Sequence, residues 1–406
     1  MSTTTPIAIN KAIEDVLRHD RGRLIAGLVS RLGDLQVAED ALQEACISAM
    51  SHWGRSGLPN SPIGWLMKVG LNKGIDRARA IQRDRNKAND LLILGASQFE
   101  TIDEEPVADD RLRLIFTCCH PLLEEKSRIV LTLRTVCHLT TKEIAAAFLD
   151  KEKTMGQRLS RAKEELREAD IGFEIPDLSS WPARLDSVLS TIYLIFTTGY
   201  VNEDDSERDL CAEAIFLMRL LDRLRPDDPE IEGALALVLL TDARSKARIG
   251  TDGATVPPAD QNRLLWDMHK VEEAREILSQ AVLRGRPGPY QIKAAIADCH
   301  MMGIAPDWKQ ISLLYGSLWA FEATPVVALN WAVVIAEIGQ PELALRKVEE
   351  LESELNTFQP FYAAYAGILS QLGRLGEAKK SYAKAIQLSQ NSANKKFLEK
   401  KLSTLN

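Results

Sequence analysis

The stretch from Thr140 to Leu166 constrains the fold most, because it combines two amphipathic segments with a short break between them. The spacing of its apolar residues predicts a helix over about 141–148, a break at 149–151 and a second helix that ends near Arg167. On the second helix, four apolar residues recur at helical spacing and predict a buried face: Met155, Leu159, Ala162 and Leu166. Two helices joined in this way predict a helix-turn-helix.

The opposite face of the second helix is polar and basic. It carries Lys153, Gln157, Ser160 and Arg161, with Arg158 and Lys163 at its sides. Polar groups can read base edges and cations can hold phosphates, so this face predicts a recognition helix for the DNA major groove. A solvated surface is the alternative, because many helices with basic outer faces bind nothing.

An earlier helix, over 35–50, has an apolar face made of Leu35, Ala38, Leu42, Ala45 and Ala49. Its second face mixes acidic and amide groups with one apolar side chain: Gln36, Asp40, Gln43, Glu44 and Ile47. This mixture predicts a docking face for a partner helix, and plain solvation is the alternative.

A loop rich in helix breakers is predicted from His52 to Pro62, and a basic helix follows it over 63–83, capped by Ser61. One face of that helix carries an aromatic ring, cations and polar groups: Trp65, Lys68, Asn72, Asp76, Arg79 and Arg83. Cations can bind phosphates while rings and amides meet exposed bases, so the face predicts a site for single-stranded nucleic acid. A basic surface helix is the alternative, and Gly70 and Gly74 weaken the helix.

Between Asp90 and Asp110 the chain holds seven acidic residues and no basic ones, which predicts a flexible linker. A second helical unit begins near Arg111 and contains two helices that break at His120-Pro121. Its cluster of potential zinc ligands comprises Cys118, Cys119, His120, Cys137 and His138. Neighbours on a helix point about 100° apart and rarely converge on one ion, so buried free cysteines are predicted instead.

The length of 406 residues predicts two or three domains. A net charge of −7 argues against a protein that binds polyanions over its whole surface, but it is compatible with local basic patches. Six unevenly spaced cysteines fit reduced thiols, and neither a signal peptide nor a membrane span is visible. We therefore expect a cytoplasmic protein without metal or cofactor.

After a linker that follows Ile171, the chain is again predicted to be helical, with no catalytic constellation. Its last part repeats with a period of 34 residues, which is typical of tetratricopeptide repeats. The matched pairs are Ala332 and Ala366, Gly339 and Gly373, Ala344 and Ala378, Val348 and Tyr382, and Leu351 and Ala385. Stacked repeats form a concave surface for protein or peptide.

In this order and spacing, the segments resemble a group-four (extracytoplasmic-function) bacterial RNA polymerase sigma factor. AEDALQEA, over 38–45, is similar to the segment that docks on the clamp helices of the polymerase β′ subunit. GWLMKVGLNKGIDRARA is similar to the −10 helix, and EIAAAFLDKEKTMGQRLSRAK, from Glu143, is similar to the −35 helix-turn-helix. FTCCHPLL, GPYQIKAAIADCH, LYGSLW and LGRLGEA resemble the subgroup with a long C-terminal tetratricopeptide-like extension.

The resemblance implies an all-α, non-enzymatic initiation subunit that brings core polymerase, through its β′ clamp helices and β flap, to promoter DNA. The implied domains are sigma region 2 over 1–89, a linker over 90–110, region 4 over 111–172 and a helical extension over 178–406, with tetratricopeptide-like repeats at about 326–390. The size of the extension and its covalent attachment lead to the hypothesis that its repeat surface regulates the sigma unit, by masking it or by binding a protein partner. The implied polymerase contacts are Asp40, Gln43, Glu44 and Ile47. The implied −10 contacts are Trp65, Lys68, Asn72, Asp76, Arg79 and Arg83, with a flipped base in the loop from His52 to Ser61. The implied −35 contacts are Lys153, Thr154, Gln157, Arg158 and Arg161.

This sequence departs from the family pattern at Leu149, Gly70, Gly74, Glu164 and Glu165. Two other readings remain. A dimeric helix-turn-helix regulator would bind a palindromic operator without polymerase, and a repeat scaffold would not contact DNA.

Overall fold

The computed structural model describes residues 6–85, 104–137, 139–148, 150–169, 171–177, 179–201, 209–303, 305–389 and 391–405. Apart from one antiparallel bridge between Ile249 and Thr255, all regular structure in these ranges is helical, which confirms the predicted all-α class. The chain forms two compact units. The first comprises residues 1–198 and 204–213, and the second comprises 199–203 and 214–406.

The first unit contains eight helices within its described residues. They are α1 (Pro6–Leu32), α2 (Leu35–Ser56), α3 (Pro62–Arg85), α4 (Glu104–Cys118), α5 (Glu125–Thr135), α6 (Thr141–Ala147), α7 (Glu152–Glu168) and α8 (Trp181–Val201). Helices α1, α2 and α3 pack on one another, as do α5, α6 and α7, while α1 also packs on α4. The helix bounds confirm the predicted helix at 63–83, the short helix at 141–148 and the second helix that ends near Arg167. They also confirm the break at His120-Pro121.

Close packing between α1 and α3 explains the two glycines that the sequence left unexplained. A Cβ atom at Gly74 would lie 2.4 Å from Cδ1 of Leu32, and one at Gly70 would lie 3.3 Å from both methyl groups of Leu28. Helix α3 continues through both glycines, so they permit a close helix contact and do not interrupt the helix.

The predicted loop from His52 begins too early, because α2 continues to Ser56. Trp53 is fully buried and holds this last turn in place. The helix ends at Gly57, whose φ of 79° is favourable only for glycine and whose N–H donates to the Trp53 carbonyl at 3.0 Å.

The predicted acidic linker over 90–110 is too long at its end. Residues 90–103 lie outside the described ranges, whereas 104–110 form the first turns of α4. Asp110 is buried and accepts a hydrogen bond from Arg113 Nη1 at 3.0 Å, so this end of the acidic segment belongs to a packed helix.

The helices after the first unit's α8 are numbered α9 to α19. They are α9 (Leu210–Leu224), α10 (Pro229–Asp242), α11 (Met268–Leu283), α12 (Pro289–Cys299), α13 (Trp308–Phe321), α14 (Pro325–Glu337), α15 (Pro341–Glu349), α16 (Glu352–Leu355), α17 (Gln359–Gln371), α18 (Leu375–Leu388) and α19 (Ser392–Ser403). None of the described helices is both long and apolar enough to cross a lipid bilayer.

The 34-residue period appears in the helix boundaries of the second unit. Helices α14 and α17 begin 34 positions apart, and so do α15 and α18. Gly339 and Gly373 take positive φ values of 93° and 70° in the turns between the paired helices. The predicted match of Leu351 with Ala385 fails, because α15 ends at Glu349 while α18 continues to Leu388.

Candidate nucleic-acid interface

A reciprocal cap fixes the start of α6, the first helix of the helix-turn-helix. The Thr140 N–H donates to Glu143 Oε2 at 2.6 Å, and the Glu143 N–H donates to Thr140 Oγ1 at 3.1 Å. These bonds satisfy two backbone donors that a helix start leaves unpaired. Helix α7 then lies on α5 and α6 through its buried residues Met155, Ala162 and Leu166, while the predicted core residue Leu159 is half-buried.

The predicted −35 residues differ in their exposure. Lys153, Gln157 and Arg161 are exposed on the outer face of α7, whereas Thr154 is half-buried. Arg158 is also half-buried, and its Nη1 lies 2.9 Å from Glu124 Oε2. The three exposed side chains can reach a DNA groove directly, and Arg158 stands beside them in an ion pair.

Lys163, at the side of the predicted reading face, forms long-range contacts that local sequence patterns do not reveal. Its ammonium group pairs with the Glu39 carboxylate of α2 and donates to Gln36 Oε1 at 3.2 Å. The Lys163 and Glu39 side chains are only 14% and 11% exposed. Glu39 also lies 3.5 Å from Arg21 of α1, so three helices meet at this carboxylate.

The predicted −10 face of α3 presents Lys68, Asn72, Asp76 and Arg79 to solvent. Trp65 is half-buried, because its ring stacks on His52 with centroids 5.5 Å apart and meets the edge of Trp53 at 5.4 Å. The side chain of Arg83 lies outside the described residues. Sequence reasoning missed the two α2 rings that hold Trp65, since they come from another helix.

The predicted docking face of α2 is partly occupied. Asp40 Oδ2 lies 2.9 Å from Arg77 Nη2, and Glu44 Oε1 lies 3.7 Å from Arg77 Nη1. Gln43 and Ile47 are exposed, and 59% of Ile47 is accessible to solvent. An exposed apolar side chain among polar groups is suited to protein contact.

Three cysteines near α4 and α5 of the first unit, which the sequence grouped as potential zinc ligands, are free and buried: Cys118, Cys119 and Cys137. Burial raises the pKa of the Cys118 and Cys119 thiols, which opposes the thiolate form that binds zinc. Burial also lowers the pKa of His120 to about 4, and His120 Nδ1 already accepts the Leu122 N–H at 3.1 Å. No group of three or more candidate ligands converges among the residues described, and His138 lies outside them.

Three successive segments of the chain match known protein families. Residues 5–84 match Sigma-70 region 2, residues 113–166 match Sigma-70, region 4, and residues 184–282 match a family of unknown function, DUF6596. An uncharacterized protein, R00370, of Rhizobium meliloti (strain 1021) is 39% identical over 396 residues, which cover 95% of this chain and 94% of the relative.

Proposed function

Because this chain belongs to the sigma-70 family, we propose that it is an initiation subunit that holds RNA polymerase core at promoters with two elements. The observation that carries this proposal is the pair of polar faces, on α3 and α7, within the segments that match regions 2 and 4. Helix α3 would bind the unpaired −10 strand, and α7 would enter the major groove of duplex −35 DNA. The chain would have no catalytic role and would need no cofactor.

The −10 role is supported by the chemistry of the exposed face of α3. Lys68 and Arg79 supply positive charge for phosphates, while Asn72 and Asp76 can hydrogen-bond to base edges. The Trp65 ring, which is oriented by His52 and Trp53, would lie at one end of this exposed face. The family resemblance implies a flipped base in the loop from His52 to Ser61, and the part of that segment that lies between α2 and α3, residues 57–61, would receive it.

The −35 role predicts a specific effect for Arg161, which is exposed on the outer face of α7. Arg161→Ala should cost about 1–3 kcal/mol of −35-dependent affinity if the guanidinium reads a base edge. Initiation rates on promoters with matched and mismatched −35 elements measure this loss. Arg167→Ala is the control, because Arg167 lies on the same helix and pairs with Glu164. A loss that is uniform across promoters, with only a changed salt dependence, would make Arg161 a phosphate contact instead.

The polymerase role predicts a large effect for Ile47, the exposed apolar residue on α2. Ile47→Asp should weaken binding to core polymerase by at least about tenfold, because a buried carboxylate would replace an apolar contact. Thermal unfolding should not change, since the side chain is already exposed. Leu122→Asp, at a site of similar exposure in the other half of the unit, is the control for a titration with labelled core polymerase. Equal affinities for the two variants would contradict the docking face.

For the second unit, the 34-residue offset of the helix pairs supports a tetratricopeptide-like repeat that binds a protein partner. Such a repeat, covalently attached to the initiation subunit, would regulate it by masking it or by recruiting that partner. We therefore propose that this chain is a member of the group-four subgroup that carries such an extension.

Holoenzyme formation tests the proposed function. The chain should co-elute with core polymerase in gel filtration, and the mixture should retain a promoter fragment that neither component retains alone. A homodimer of the chain that binds a palindromic operator equally well without polymerase would overturn the proposal in favour of a dimeric regulator.

A further inference from the structure

Helix α13 of the second unit carries apolar side chains on two sides. Its inner side packs on α12 and α14 through Ile311 and Leu318, which are both buried. Its outer face carries Leu313, Ser317 and Phe321 on successive turns, and Leu313 and Phe321 are 69% and 50% exposed. Apolar residues on both sides are typical of a helix that is covered on both sides. The described part of the chain covers only the inner one.

The outer face of α13 is uncharged, and its central hydroxyl group is already satisfied. Helix α13 holds one charged residue, Lys309 in its first turn, and none over the turns that follow. The Ser317 hydroxyl donates to the Leu313 carbonyl at 3.3 Å, within the same helix. Just beyond the helix, Glu322 Oε1 lies 2.8 Å from Lys293 Nζ, so this charge is paired as well. A charged peptide or nucleic acid would find no partner on this face, and its cover must itself be apolar.

The spacing of the three side chains on this face fits a two-fold axis. Leu313 and Phe321 each lie four residues from Ser317, which is about 6 Å along the helix. When a second copy of α13 lies antiparallel to the first with the axis at Ser317, Leu313 of each copy meets Phe321 of the other. The small serine at the centre allows the two helices to approach closely. A patch that is complementary to itself in this way is what a two-fold dimer requires.

We propose that the chain forms a homodimer in which the outer face of α13 packs antiparallel on the same face of a second copy. Charge favours this direction. A parallel pair would place the two Lys309 ammonium groups side by side, whereas the antiparallel pair separates them by about 24 Å along the helices, well beyond the Debye length of about 8 Å. The dimer is compatible with the proposed initiation role, because only a dimeric regulator would bind an operator without polymerase.

Analytical ultracentrifugation of the full chain over a concentration series tests the dimer. The wild-type chain should show a reversible monomer–dimer equilibrium in the micromolar range, because a contact through one helix of about 21 Å is small. Leu313→Glu and Phe321→Glu should each weaken dimerisation at least about tenfold, since a buried carboxylate would replace an apolar contact. Leu375→Glu is the matched control, because Leu375 is an exposed leucine on α18 of the same unit. Circular dichroism should be unchanged in all three variants.

Cysteine cross-linking tests the position of the axis. Ser317→Cys should give a disulfide-linked dimer under mild oxidation, because a two-fold axis at this residue places the two thiols opposite each other on closely packed helices. Ser353→Cys is the control, since Ser353 is exposed on α16, and it should cross-link no more than the wild-type chain with its own free cysteines. Adding Leu313→Glu to the Ser317→Cys chain should remove the cross-link.

A wild-type chain that stays monomeric throughout the micromolar range would overturn the dimer, and so would a dimer that keeps its affinity in both glutamate variants. A monomeric chain in which Leu313→Glu weakens binding to core polymerase would assign the face to polymerase and would likewise overturn the dimer. These results leave the proposed function intact, because holoenzyme formation by the wild-type chain tests that function separately.

Discussion

A chain that ends at Ile175 should unfold about 6–12 °C below a chain that ends at Glu213, because it lacks α8. The predicted boundary between region 4 and the extension lies at 172–178, but the first compact unit continues to Thr198. Helix α8 is thus part of the compact unit that contains α7 and the region 4 match, although the DUF6596 match begins within α8 at residue 184.

The contacts of α8 explain the size of this effect. Arg184 Nη2 donates to the Phe116 carbonyl at 2.9 Å, and Ser187 Oγ donates to the Cys119 carbonyl at 2.5 Å. The Trp181 ring packs on Phe116 with centroids 5.0 Å apart, and Arg128 of α5 donates to Ser187. Removal of these groups uncovers the fully buried Phe116 and should cost at least about 3 kcal/mol, the order of one large core deletion.

Calorimetry of the two truncated chains and the full chain measures this difference. Equal unfolding temperatures for the chains that end at Ile175 and Glu213 would show that α8 does not stabilise the first unit. A truncated chain that tests regulation by the extension must therefore keep the residues up to Glu213, because a shorter chain would also lose α8 and destabilise region 4.

Gly233→Ala should lower the free energy of unfolding of the second unit by about 2–4 kcal/mol. A Cβ atom there would lie 2.6 Å from the backbone nitrogen of Gln291 and 2.8 Å from its Cα, so α10 and α12 would have to separate. Their separation also weakens the cap that Glu230 of α10 places on α12, where its carboxylate accepts from the Tyr290 N–H at 3.0 Å.

Gly367→Ala is the matched control, since Gly367 also lies within a helix and has no atom within 4 Å of its Cβ position. It should stabilise the second unit by up to about 1 kcal/mol, because alanine favours the helix. Urea unfolding of both variants measures the two changes. A stabilising Gly233→Ala substitution would contradict the close packing of α10 on α12.

Local periodicity was sufficient to predict α7, because Met155, Ala162 and Leu166 are close in sequence and share one face. The 34-residue repeat was predictable for the same reason, since each pair of helices repeats its own small residues. Both patterns lie within single helices or helix pairs, so they can be recognised without knowledge of distant contacts.

Contacts between distant segments were not predictable. Lys163 and Glu39 are 124 residues apart, and the Ser187 bond to Cys119 spans 68. From the sequence alone, the lysine at the side of α7 was interpreted as a possible phosphate contact, whereas in the structure it pairs with Glu39 of α2. Trp65 likewise reads as an exposed ring until His52 and Trp53 pack against it.

Run-off transcription tests the central claim most directly. Purified core polymerase should yield no specific transcript from the promoter of the protein's own operon without this chain and a defined transcript with it. The transcript should weaken when either the −10 or the −35 element is altered. An absent transcript, together with equal binding of the same DNA by the chain alone, would contradict the account.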